Sequence, residues 1–137
     1  FLLCYQGLLP ISHLFVLLGS CVLAIYDLRS MEYPLLIWLV LHALCLFFTS
    51  PTLLMGVFLF LGVLSAVYSI GIGAGDFLLL ATFSLTLSAV QVLLVMQGAS
   101  LIGLLVFLLK KEKDRIPFVP CLFLSYQALL FFTIFSR

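Results

Sequence analysis

Charge is almost absent from the middle of this chain. Between Glu32 and Lys110 stands one charged side chain, Asp76, with 43 uncharged residues before it and 33 after it. Uncharged runs of that length carry more apolar surface than one water-soluble core can hide. The whole sequence repeats the point, with 66% of its 137 residues hydrophobic, 8% charged and a mean hydropathy of +1.42. Soluble domains carry about a quarter charged residues. The chain therefore reads as an all-α polytopic membrane helix bundle. A net charge of +1 also lacks the dense basic patch that a nucleic-acid partner requires.

Helix breakers and charges divide the chain into about six transmembrane helices. Residues 1–5 read as the tail of a cut helix, followed by a turn from Gln6 to Ser12. The six spans are then about His13–Tyr26, Pro34–Phe48, from after Thr52 to Ser69, Phe77–Met96, Leu101–Leu109 and Ile116–Phe135. The breaks between them fall at Asp27–Tyr33, Thr49–Thr52, the glycine segment before Phe77, Gln97–Ser100 and Lys110–Arg115. The first, third and fifth of these loops hold every charged residue except Arg137, and the second and fourth hold none. Helices that cross in alternation put the odd loops on one side. Arg29 and the Lys110–Arg115 cluster mark that side as cytoplasmic by the positive-inside rule. Phe1 is not an initiator Met and opens mid-hydrophobic, so residues 1–137 read as one membrane domain cut from a longer protein.

Asp76 ends the run Gly71-Ile72-Gly73-Ala74-Gly75-Asp76. An ionised Asp near a bilayer core is costly and by default marks a functional site. Glycines beside it remove side-chain bulk and let another backbone approach. Gly71 and Gly75 also fit a helix-packing spacing, which is the bland reading of the same residues. The second carboxylate at this level is Asp27, behind the apolar run Cys21–Tyr26. Alone, Asp27 reads as a loop charge beside Arg29. Two carboxylates at one membrane face read as an aspartyl protease pair instead. Brought close, two carboxylates share one proton. The ionised member takes a proton from water while the protonated member polarises the scissile carbonyl.

The motifs carrying these acids resemble those of bacterial type IV prepilin peptidases. Tyr26-Asp27-Leu28-Arg29 followed by Tyr33-Pro34 resembles that family's first motif, and Gly73-Ala74-Gly75-Asp76-Phe77 resembles its GxGD motif. Ile116-Pro117-Phe118-Val119-Pro120 resembles its last-helix Pro-Phe-x-Pro motif. The resemblance runs through essentially the whole chain and is nearest to the competence pseudopilin-processing type of Gram-positive bacteria. It implies an aspartic endopeptidase that removes prepilin or pseudopilin leader peptides at the cytoplasmic face of the cell membrane. Asp27 and Asp76 would be catalytic, Gly73 and Gly75 would shape the site, and no cofactor or metal would be needed. Leu78 stands where many members carry Lys, and Tyr33 where Ile is usual. The family's N-terminal helix and cytoplasmic region, often with two CxxC pairs, do not fall within these residues, so neither zinc nor methyltransferase activity is assigned.

Other residues read as structural. Cys4, Cys21, Cys45 and Cys121 form no CxxC pair and read as buried thiols. His13 and His42 are single residues on apolar stretches and are assigned no role. Glu32 reads as a solvated loop charge, and Lys110–Arg115 as a topology determinant that also meets anionic headgroups. Two other functions stay open. One is a presenilin-like intramembrane aspartyl protease, the other a small transporter or assembly scaffold with Asp76 on an ion path.

Overall fold

A computed structural model describes residues 10–30, 34–68, 73–109 and 118–135, and every regular element in them is an α-helix. The order is α1 (Ile11–Ser30), α2 (Leu35–Phe48), α3 (Leu53–Tyr68), α4 (Ala74–Phe83), α5 (Ala89–Leu109) and α6 (Val119–Phe135). The readings made for residues 1–9, Glu32 and Tyr33, Gly71, and the Lys110–Arg115 cluster lie outside the described residues.

Two boundaries differ from the sequence reading. Helix α1 does not stop at Tyr26 but continues through Asp27 to Ser30. Nothing in Asp27-Leu28-Arg29 breaks a helix, and Arg29 in the last turn meets the negative end of the helix dipole. The larger difference is the expected span Phe77–Met96, which is interrupted. Helix α4 ends at Phe83, a turn follows, and α5 runs unbroken through Gln97–Ser100.

Hydroxyl groups make that break, without any glycine or proline. Ser84 and Thr86 donate their side-chain protons to the carbonyls of Ala81 and Phe83, at 2.7 and 3.2 Å. Ser88 then starts α5 with a reciprocal cap. The Ser88 N–H donates to Gln91 Oε1 at 2.9 Å, and the Gln91 N–H donates to Ser88 Oγ at 3.4 Å. Gly98, which suggested a helix end, is a packing residue. A Cβ there would collide with Oγ of Ser125, so the missing side chain lets α5 lie close to α6.

An uncharged turn at residues 84–88 stands in place of the expected Gln97–Ser100 loop. Thr52 caps α3 by accepting the Met55 N–H at 3.1 Å, and its hydroxyl donates to the Ser84 carbonyl at 3.1 Å. The turn before α3 and the turn after α4 therefore share one end of the bundle. Helix α3 lies along α4, α5 lies along α6, and α1 packs against both α2 and α6. Helix α4 is the centre, touching α1, α2 and α6 as well as α3, and all of Leu78–Phe83 is buried.

The outer surface is apolar. Phe47, Leu53 and Phe135 are each more than four-fifths exposed, and many other large hydrophobic side chains also face outward. Soluble monomers rarely expose contiguous apolar patches above a few hundred Å². Among the described residues two helices, Ile11–Arg29 within α1 and Ala89–Leu109, are long and apolar enough to cross a membrane. The remaining four are apolar but have 10–17 residues. Length and surface together support a membrane environment.

Candidate active site

Asp27 stands half-buried in the last turn of α1. Its Oδ2 accepts a hydrogen bond from the backbone N–H of Val119, the first residue of α6, at 3.3 Å. The first N–H groups of a helix have no partner inside it. Here one of them meets a carboxylate from the helix packed alongside.

Asp76 is the third residue of α4. Free N–H groups and the dipole make that first turn favourable for a carboxylate. The Asp76 N–H donates to the Gly73 carbonyl at 3.1 Å, which closes the turn. Gly73 has φ −60° and ψ 126°, a conformation open to any L-residue, so the backbone does not demand glycine. Space does. A Cβ on Gly73 would stand 3.2 Å from Oδ2 of Asp76, closer than such contacts ordinarily come. Gly75 is the second residue of α4 and is half-buried.

The structure brings these groups together. Asp76 interacts with Asp27 as one charge with another. Cys121, the third residue of α6, is buried and lies near enough to both acids to feel their charge. Ends of α1, α4 and α6 thus converge, with Asp27 and Asp76 as the acidic pair and Gly73 against one of them. Among the described residues no cluster of three or more His, Cys, Asp or Glu is placed to hold a metal ion.

A second polar cluster fastens α4 just beyond Asp76. Trp38 of α2 donates its indole N–H to the Leu78 carbonyl at 2.8 Å, with Thr82 Oγ1 at 3.0 Å from the same nitrogen. His42 lies one turn on, stacked on Trp38 with ring centroids 4.9 Å apart, and its Nδ1 is 3.0 Å from Thr82 Oγ1. Thr82 is fully buried and His42 nearly so. Sequence alone assigns His42 no role and does not single out Trp38 or Thr82. The signal was the spacing of Trp38 and His42, four residues apart on one helix face. Their partner Thr82 is far along the chain and could not be paired with them by pattern.

The remaining expected residues fall as follows. Leu78, where Lys is common in the family that the motifs resemble, buries its side chain against Gly62 of α3, 3.2 Å from where a Cβ of Gly62 would be. A charge there would lose its hydration, so position 78 serves packing in this chain. His13 makes a 2.8 Å hydrogen bond with the Tyr126 hydroxyl. Cys45 and Cys121 are buried, Cys21 is half-buried, and Cys4 lies outside the described residues. No family model, curated protein or solved structure matches this chain.

Proposed function

We propose that this chain is an aspartic endopeptidase of the membrane, the catalytic membrane domain of a prepilin peptidase. The observation that carries the reading is the meeting of Asp27 and Asp76, 49 positions apart, at one end of the bundle within reach of each other's charge. The motif resemblance supplies the substrate class, a prepilin or pseudopilin leader peptide.

Hydrolysis follows from the pair. One carboxylate, ionised, takes a proton from water as the water oxygen bonds to the scissile carbonyl carbon. The other, protonated, donates to the carbonyl oxygen. Collapse of the tetrahedral adduct breaks the C–N bond, and the departing nitrogen receives a proton from the pair. The flat backbone at Gly73 leaves room for the substrate chain beside Asp76. The bundle would sit across the bilayer, with the ten-residue α4 too short to span it by itself. Arg29 and the Lys110–Arg115 cluster would hold the acidic end at the cytoplasmic face.

A presenilin-like protease is the second reading, and one observation favours it. Asp27 lies inside helix α1 rather than in a loop. The position of the cut separates the two. Reconstituted with a pseudopilin in bilayers, the chain is expected to release a leader whose end lies at the start of the apolar segment, identified by mass spectrometry. A cut within the apolar segment supports the presenilin-like reading, and an intact substrate opposes both. Gly73→Ala is expected to lower kcat about tenfold without loss of fold, because displacing a reacting group by a fraction of an ångström is enough. Unchanged kcat in that variant would show that the space over Gly73 is not used.

A further inference from the structure

We infer that the backbone N–H of Val119 positions Asp27 for catalysis, which makes the Phe118-Val119-Pro120 start of α6 a working part of the site. This rests on reading Asp27 and Asp76 as the hydrolytic pair. Three observations carry it.

The donor has a definite acceptor. Val119 N–H reaches Asp27 Oδ2 at 3.3 Å across 92 positions of sequence. Val119 is 2% exposed, so water cannot readily replace the carboxylate as its partner. A buried backbone N–H without an acceptor is rare because it is costly.

The local sequence leaves this donor facing Asp27. Pro120 has no N–H to offer, and the Leu122 N–H is already given to the Phe118 carbonyl at 3.0 Å. The helix start therefore presents Val119 as a fixed donor at its positive end.

The bond also opposes a disturbance. Asp76 repels Asp27 when both are charged. A side chain at the end of a helix would swing away from that neighbour unless something held it. The Val119 N–H belongs to the backbone of a packed helix and holds Asp27 with no loss of side-chain freedom of its own. Val119 touches no reacting atom in this account. It is a positioning residue, acting through Asp27.

The test deletes the N–H and keeps the helix. Val119 is the first residue of α6, where proline's missing N–H and fixed φ are tolerated. Val119→Pro removes the donor. Val119→Ala keeps it and removes only side-chain volume. A backbone ester at position 119, introduced with the α-hydroxy analogue of valine, removes the N–H and keeps the side chain. Leader cleavage is measured as kcat and KM, beside the melting temperature of each variant in detergent.

Val119→Pro and the ester are expected to lower kcat about 10- to 100-fold with KM within about twofold, the effect of a misplaced catalytic group. Val119→Ala is expected to stay within about threefold of the wild-type kcat, because its donor is intact. The inference is overturned if the ester keeps wild-type kcat, if it raises KM alone, or if Val119→Ala loses as much as the ester. Should Val119→Pro fail to fold, the ester decides. Asp27→Asn is run alongside. Activity in that variant would defeat the reading of the acidic pair itself, a result distinct from failure at Val119.

Discussion

Asp27→Asn and Asp76→Asn are each expected to reduce leader cleavage by about 10⁴-fold, the upper range for losing a general acid or base. Asn has nearly the shape of Asp but can neither take a proton from water nor donate an acidic one. Losing either member therefore removes the whole device, and the double variant should be no worse than either single one. Neither acid is needed for the fold. A buried carboxylate beside a second one is costly to ionise, and Asn at position 27 can still accept from Val119. Both variants should melt at or above the wild-type temperature. Asp76→Glu should also be inactive, since one extra methylene moves the carboxylate further than the geometry of the pair tolerates. Full processing by either Asn variant would end the protease reading.

The largest loss of stability is expected from Tyr126→Ala. Tyr126 is fully buried, stacks on Phe83 with ring centroids 4.6 Å apart, and bonds His13 at 2.8 Å. It ties α6 to α4 through the ring and to α1 through the hydroxyl. Truncation leaves a ring-sized cavity in the interior, and such changes cost about 3–5 kcal/mol. Tyr126→Phe keeps the stack and loses one hydrogen bond, worth about 1 kcal/mol. Unfolding titrations in mixed detergent would rank the three proteins. Equal stability of the Ala and Phe variants would show that the ring contributes little. The helices joined by Tyr126 are the same three that bring Asp27, Asp76 and Val119 together. Activity should therefore fall in the Ala variant even where it remains folded.

Charge placement made the coarse arrangement legible. The all-helical class follows from long uncharged runs punctuated by polar segments, and α2 and α3 fall close to their expected bounds. The shared end of Asp27 and Asp76 followed from alternation of charged and uncharged loops. The break at Ser84–Ser88 escaped notice because hydroxyl side chains end helices by bonding backbone carbonyls, and in a hydrophobic stretch they resemble ordinary interior residues. Gln97-Gly98 misled in the opposite direction, since glycine serves close packing as readily as a turn. The Val119 donor was invisible for a deeper reason. A backbone N–H has no identity in sequence, and only the docking of α6 beside α1 gives it an acceptor.

The Trp38 bond to the Leu78 carbonyl has a practical consequence. Trp38 is the only tryptophan in the sequence, and its indole is buried and bonded two residues beyond Asp76. Indole emission depends on what the N–H is bonded to and on the polarity around the ring. The chain thus carries a native optical probe fixed to the helix of one proposed catalytic acid. Movement of that helix can be followed in unlabelled protein, as substrate arrives, with no competing tryptophan signal.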